Sequence, residues 1–457
     1  MFNTIKNALK TPDVRKRVLY TLLLIVIFRL GCYISVPNVD TVALRGINQG
    51  GITELINTIS GGAFSRFSIF AMSITPYITA SIVIQLLAMI VPSLERLTKE
   101  GGEEGRNKIN KYTKMLTIVL ALVEGLGLYL SYKSYGIFIG SFAESGFERF
   151  LSGAIVVISF MAGTALLMWL GEQITNKGIG NGISLLIFVG IVSGLPNSIL
   201  QISNSLLLNN NFSTQNLIIT LVIIVAAILL VAGVIFVQQA ERRVPVQYSK
   251  RVVGRKMVGA QNTHIPLKLA MAGVMPIIFA SSFMTFPAMI IQLFKTNIAA
   301  ESGILAFIYK LSLATSTTNL TGANGENLGS LPLGFSIANA IIYLLLIIGF
   351  TFFYTYATFN PAEVSNNIKK NGGFIPGIRA GKPTTQYLSS IISKLTLFGG
   401  LFLAVIAIVP MFARFGTVSS LLTFGGTSIL IVVGVALETV QQLESQLVMR
   451  HYKGFLN

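Results

Sequence analysis

The chain has 457 residues, 53% of them hydrophobic and only 11% charged, with a mean hydropathy of +0.71. A water-soluble domain carries about 25% charged residues, so the composition excludes an ordinary soluble fold and points to lipid as the solvent. Net charge is +17, while a single cysteine (Cys32) and two histidines (His264, His451) exclude a disulfide framework, a zinc spacing and a histidine-based centre.

In chain order, residues 1–17 form a basic leading segment. Within "FNTIKNALK", Phe2, Ile5 and Leu9 share one helical face and Lys6 and Lys10 lie elsewhere, the pattern of a short helix on a membrane surface. Thr11 then offers a cap and Pro12 a first helical position. Ten apolar segments follow, at 18–36, 68–91, 115–132, 150–170, 180–200, 216–237, 267–293, 335–357, 395–413 and 418–438. Each approaches the roughly 20 residues needed to cross about 30 Å of hydrocarbon. They read as helices, because backbone groups in lipid must be satisfied within the segment. The first carries Arg29 and lacks a small-residue cleavage site, so it is not expected to be a removable signal peptide. Segment 180–200 is glycine-rich and is expected to be cut by a Gly-Leu-Pro turn at Pro196.

Lysine and arginine orient the stack. With the N-terminus inside, the inner segments hold 26 of these residues and the outer segments 7, Arg29 making up the 34. This predicts both termini in the cytoplasm, with 439–457 as a cytoplasmic tail. Ten spans divide into halves at 18–200 and 216–438, joined by an outer hinge at 201–215. Because five is odd, a second copy of the unit inserts upside down, and such inverted repeats place a path at their interface. The second span of each half carries an internal proline, in "SITPYITAS" (Pro76) and "GVMPIIFASS" (Pro276).

Two inner loops stand out. Loop 238–268 is long, basic and rich in β-branched residues; loop 358–394 contains "NPAEVSNNIKKNGGFIPGIRAGKPT". Both hold more charge than orientation requires, which suits either anionic lipid or a docking partner that is acidic or carries RNA. Outer loop 294–334 is polar and nearly neutral and reads as a flexible surface loop. "GGEEGRNK" fails the spacing of a phosphate-binding loop, and "GIGNG" is no dinucleotide fingerprint. Carboxylates inside spans are nearly confined to Glu124, with Glu438 at a span end, which is thin for an ion-coupled transporter. No paired carboxylates or metal spacing suggest an enzyme. Arg29, near the middle of the first span, can pair with Glu124, meet a polar backbone group or snorkel.

Ile74 and Ile78 lie four apart on one helical face, as do Ile183 and Ile187. Each pair sits close to a helix break or glycine turn; by spacing alone they are lipid-facing or core residues.

The strings "SGGAFSRFSIFAMSITPYITASIVIQLL", "LMWLGEQITNKGIGNGISLLIF", "HIPLKLAMAGVMPIIFASS", "NNIKKNGGFIPGIRAGKPT" and "FGGTSILIVVG" resemble the SecY family, in order and through all ten spans. The resemblance implies an all-α polytopic membrane protein, with ten transmembrane helices in two inverted halves around an hourglass pore that conducts polypeptide. It implies a pore ring at Ile74, Ile78, Ile183, Ile187, Ile278 and Ile431. It also implies a plug, a short helix at about 60–72 that includes Gly61, Gly62, Ala63, Phe64, Ser65, Arg66 and Phe67, the glycines serving as hinge. Ser65 and Arg66 would face an outer, water-filled vestibule. A lateral gate between spans two and three and spans seven and eight would be lined by Gln85, Glu124, Ser281 and Ser282. Docking of a ribosome or the SecA ATPase falls on Arg242, Arg243, Lys250, Arg251, Arg255, Lys256, Lys369, Lys370 and Arg379; Ala380 stands where the family often has proline. Small SecE and SecG subunits, unfolded preproteins, signal sequences and membrane lipid are the other implied partners, with no cofactor, no metal and no enzymatic step. An ion-coupled transporter, a membrane enzyme and an accessory paralogue with few substrates are the rival readings.

Overall fold

In the computed structural model of the chain, the residues described are 10–40, 57, 60–99, 101–133, 137–139, 146–203, 214–248, 251–253, 256–258, 262–294, 303–313, 319–321, 327–330, 333–413 and 426–453. The surface helix expected within residues 1–9 lies outside them. Ten long helices match the ten apolar segments. These are α1 (Pro12–Gly31), α2 (Thr75–Ile90), α4 (Gly102–Lys133), α5 (Gly146–Lys177), α6 (Gly182–Ser203), α7 (Thr214–Gln239), α8 (Met275–Phe294), α10 (Leu333–Thr358), α12 (Lys382–Ala413) and α13 (Gly426–Lys453). Shorter helices α3 (Pro92–Lys99), α9 (Ile304–Leu313) and α11 (Pro361–Lys370) lie between them. Among the described residues five helices are long and apolar enough to cross a membrane alone, and a sixth span arises if α2 and α3, bent by 105°, are taken together.

Several ends differ from the sequence reading. The run 68–91 becomes helical only at Thr75, so Pro76 lies in the first turn of α2 instead of inside a span. Pro276 is likewise the second residue of α8, whose internal proline is Pro287. A proline in a first turn gives up an amide that has no helical partner anyway, so both residues start helices and do not kink them. Pro196, expected to cut the fifth span, sits within α6, which continues to Ser203; neighbouring helices make an internal proline tolerable in a membrane. Pro12 occupies the first turn of α1 with Thr11 at the cap position, but the threonine side chain makes no capping bond. Loop 294–334 is not merely flexible: α9 and a hairpin of β5 (Asn319–Thr321) and β6 (Asn327–Ser330) lie in it.

The first basic loop holds strands, as its β-branched content allows. β1 (Glu241–Tyr248) pairs antiparallel with β4 (Asn262–Lys268), with a smaller ribbon of β2 (Arg251–Val253) and β3 (Lys256–Val258) between them. Along β1 burial alternates, Val244 and Val246 being buried and Arg242, Arg243 and Pro245 exposed. The other edge of β1 pairs with β7 (Gly373–Phe374), which belongs to the second basic loop. The spans are helical, as the all-α expectation has it, and the inner loops add a small sheet.

The largest apolar core joins residues from both halves, including Leu24, Leu186, Ile277, Tyr343 and Leu430. α8 packs on α2 and α4 of the first half, and α6 packs on α13 of the second. Packing within each half also needs glycine. A Cβ on Gly163 of α5 would strike the carbonyl of Ile69, and one on Gly434 of α13 would strike Val274. Gly163→Ala should therefore cost about 1–3 kcal/mol by overpacking and lower the apparent melting temperature in mild detergent. Gly146→Ala, where the added carbon meets nothing within 4 Å, should leave it unchanged.

Candidate pore, seal and gate

Five of the six ring candidates, Ile74, Ile78, Ile187, Ile278 and Ile431, belong to the one core that joins the halves, and Ile183 packs against it half-buried. All six lie at the cap or in the first two turns of four different helices. Ile74 caps α2 and Ile78 is its fourth residue. Ile183 and Ile187 are the second and sixth residues of α6, Ile278 the fourth of α8 and Ile431 the sixth of α13. The α6 start is held by Asn181, whose side-chain oxygen accepts from the amides of Ile183 (3.1 Å) and Ser184 (3.4 Å). Gly182 approaches the Gly171 carbonyl closely enough that no Cβ fits. The two ambiguous isoleucine pairs of the sequence thus lie, with Ile278 and Ile431, in or against one larger apolar core.

The segment 60–72 is not the short helix expected; its helical part is one 3-10 turn, Phe64–Arg66. Nor is it lightly seated. Phe64, Phe67 and Phe70 are almost fully buried. Phe67 touches Phe64, Tyr132, Phe138 and Phe160 at ring-centroid separations of 5.0–6.0 Å, and Phe70 stacks on Phe28 of α1. Phe67 (φ 43°) and Ser73 (φ 53°) adopt left-handed backbone, a strain that persists where packing over-determines it. The two glycines do turn the chain, with φ of 64° at Gly61 and 83° at Gly62. Ser65 and Arg66 do not simply face water. Ser65 donates to the Gly62 carbonyl at 2.9 Å and its amide donates to the Asn57 side chain at 2.9 Å. The Arg66 guanidinium lies 4.2 Å from the Tyr33 ring centroid, with one nitrogen buried and without a hydrogen-bond partner. Aromatic bulk explains the difference: three phenylalanines bury far more apolar area than two polar side chains can keep in solvent.

Arg29 also moves from its expected place. It stands in the last turn of α1, where a cation suits the helix dipole. Its Nη1 donates to the Gly61 carbonyl at 3.2 Å and to Ser193 Oγ of α6 at 2.9 Å. Of the three options in the sequence, the polar backbone group is realised.

At the candidate seam, α8 lies against α2 and α4. Glu124 of α4 is buried, with both carboxylate oxygens lacking a hydrogen-bond partner. Gln85 of α2 donates to Ser81 at 3.0 Å and Ser281 of α8 to the Ile278 carbonyl at 2.9 Å; both bonds run along their own helix. Ser282 is buried. Behind the seam, Phe279 and Phe283 of α8 pack edge-on against Phe350 of α10, which ties these two helices together.

The two basic loops form a single body. Val244, Val246 and Leu267 of the sheet share a core with Ile368 of α11, Ile375, and Leu388, Ile391 and Ile392 of α12. Arg242, Arg243, Lys369, Lys370 and Arg379 are exposed on it. Arg243 pairs with Glu241 at 2.7 Å. Arg379 follows the Ile375–Ile378 turn, flanked by Gly377 (φ 80°) and Gly381 (φ 105°), and its carbonyl accepts from Thr384 Oγ1 at 2.9 Å. Ala380, the departure from the family pattern, has no unusual φ. Arg251 and Lys256 lie in the β2–β3 ribbon, while Lys250 and Arg255 fall outside the described residues.

Sequence reasoning missed this shared sheet, although alternation in "RVPVQY" signals a strand. It also missed the aromatic nest under Phe67 and the Arg29–Ser193 contact, neither of which has a local signal.

The SecY family model matches residues 68–440. The protein translocase subunit SecY of Halalkalibacterium halodurans is 44% identical over the full length of both chains. Among solved structures, one described as a protein conducting channel superposes with a TM-score of 0.59 at 20% identity, covering 94% of this chain and 91% of that one. Sec61 in a canine ribosome–channel complex gives 0.57 at 19% identity, with the same coverage. The sequence match over most of the chain and the shared arrangement of helices place this chain in the SecY family.

Proposed function

We propose that the chain is a passive protein-conducting channel, in which unfolded polypeptide threads the isoleucine collar and apolar segments leave sideways between α2 and α4 on one side and α8 and α10 on the other. The observation that carries this is that six isoleucines at the starts of four helices, drawn from both halves, lie in or against one apolar core. An apolar constriction excludes water and ions by dewetting. It also forms no directional bonds, so any side chain can slide past it. A collar of hydrogen-bonding groups would hold some residues and stall a heterogeneous polymer. Residues 60–72 act as the seal, seated against α1, α4 and α5.

The seam is built to reopen. Interhelical hydrogen bonds in membranes contribute only about 0.6 kcal/mol on average, and Glu124 contributes none in this state. A polar group entering beside Glu124 recovers a hydrogen bond that the closed seam leaves unmade. Signal sequences and membrane-protein segments are the natural occupants, with lipid on the far side.

Energy comes from partners on the basic body. A ribosome is one, in keeping with the ribosome-bound Sec61 complex; the SecA ATPase is the other. SecE and SecG are proposed as small membrane subunits. The bacterial relative and the lysine–arginine bias support a cytoplasmic membrane location with both termini inside.

Replacing Ile78 and Ile187 together by glycine should make the resting channel conduct ions across a planar bilayer; a variant as tight as the parent would remove the collar from the mechanism. Cysteines at positions 85 and 282 should form a cross-link that locks the seam shut and blocks release of signal segments, and failure to cross-link rejects the pairing of these positions. Arg379→Glu should slow secretion while the channel itself still inserts into the membrane; unimpaired secretion would take Arg379 out of the docking site.

A further inference from the structure

Three chain elements meet at one guanidinium. Arg29 ends α1, Ser193 lies in α6, and Gly61 opens the seal segment; Arg29 Nη1 bonds to both of the others. Ser193 Oγ donates onward to the Gly190 carbonyl at 2.7 Å, which turns its lone pairs toward the arginine. The junction leaves no spare volume. A Cβ on Gly61 would lie 2.5 Å from Ser193 Oγ and 2.6 Å from Arg29 Nη1, at a φ of 64° that already disfavours a side chain. Next to it, Cys32 Sγ approaches the Ser60 carbonyl at 3.8 Å. The turn beyond is closed on itself, Gly62 N donating to Asn57 O at 2.9 Å and Phe64 N to Ser60 Oγ at 3.2 Å.

From this geometry we propose that Arg29 is the positioning residue that latches the seal, by clamping the Gly61 carbonyl to Ser193. The proposal rests on the reading of residues 60–72 as the seal. Both acceptors are neutral. The bonds are charge-assisted and so stronger than ordinary ones, yet opening them separates no ion pair. They can therefore be broken and remade as the seal leaves and returns. Both contacts come from the one nitrogen Nη1; the lysine ammonium also carries several donors but sits on a stem one atom shorter, so it reaches them less closely.

The test is the resting ion leak of the channel, purified with its membrane subunits and reconstituted without substrate. Loss of a hydrogen bond to a charged group shifts such an equilibrium by about tenfold or more, so Arg29→Ala should raise the leak by about that factor, with Arg29→Lys intermediate. Gly61→Ala should raise it from the opposite side of the same contact. The double variant Arg29→Ala with Ser193→Ala should leak no more than Arg29→Ala alone, since both remove one shared interaction. A leak in Arg29→Ala equal to that of the parent overturns the latch. Should Arg29→Ala fail to assemble, Ser193→Ala, which removes one oxygen, serves in its place: a raised leak supports the latch and an unchanged one overturns it. Ile78→Gly with Ile187→Gly, measured alongside, separates the two readings. If this control leaks and the latch variants stay tight, only the latch falls; if none leaks, the channel reading falls and the latch with it.

Discussion

A helix that starts inside an apolar core exposes amides with no helical partner, and burying such groups unpaired is costly. This chain begins four helices at its central cluster and reduces the cost at three of them by two devices. α2 and α8 put a proline in the first turn, so one amide is simply not there. α6 uses Asn181 to accept from two amides. With the starts thus tolerated, the first turns can carry isoleucine alone. The six isoleucines proposed as a collar take their positions from these helix starts.

Within each half, glycines at 163, 171, 182 and 434 let helices and turns approach until an added Cβ would crowd its neighbour. Close packing also joins the halves. On one side α6 meets α13, and on the other α8 meets α2 and α4. Among the described residues, the second contact buries a carboxylate without a hydrogen-bond partner, at Glu124, while on the α6 side the buried atom without a partner is the Ser184 hydroxyl.

The spans were legible because hydropathy is local: about 20 apolar residues in a row carry their own signal. Their ends were less so, since Pro76 looked internal until residues 68–74 proved non-helical. The role of the isoleucines was not legible from spacing, because Ile74 and Ile78 alternate with as many apolar neighbours as any lipid-facing helix. Family resemblance selected them; the fold buries five in one apolar core and half-buries Ile183 against it. The seal range was read as loosely held from its glycines and Arg66, whereas its phenylalanines, distributed over Phe64, Phe67 and Phe70, decide its burial through partners as distant as Phe160. The contact of Arg29 with Ser193 spans 164 positions and leaves no trace in either neighbourhood.

Strand pairing between β1 and β7 makes mechanical neighbours of two loops more than a hundred residues apart. Strand β4 of that sheet ends at Lys268, and α8 begins at Met275, so only residues 269–274 separate them. Lys268 is itself tethered to Gln441 of α13 at 2.6 Å. The sheet is thus joined to α8 by six residues and to α13 by one side-chain hydrogen bond. On the proposed channel reading, thermodynamic reciprocity means that a shift of α8 or α13 as the passage fills would also alter how tightly a partner grips the sheet.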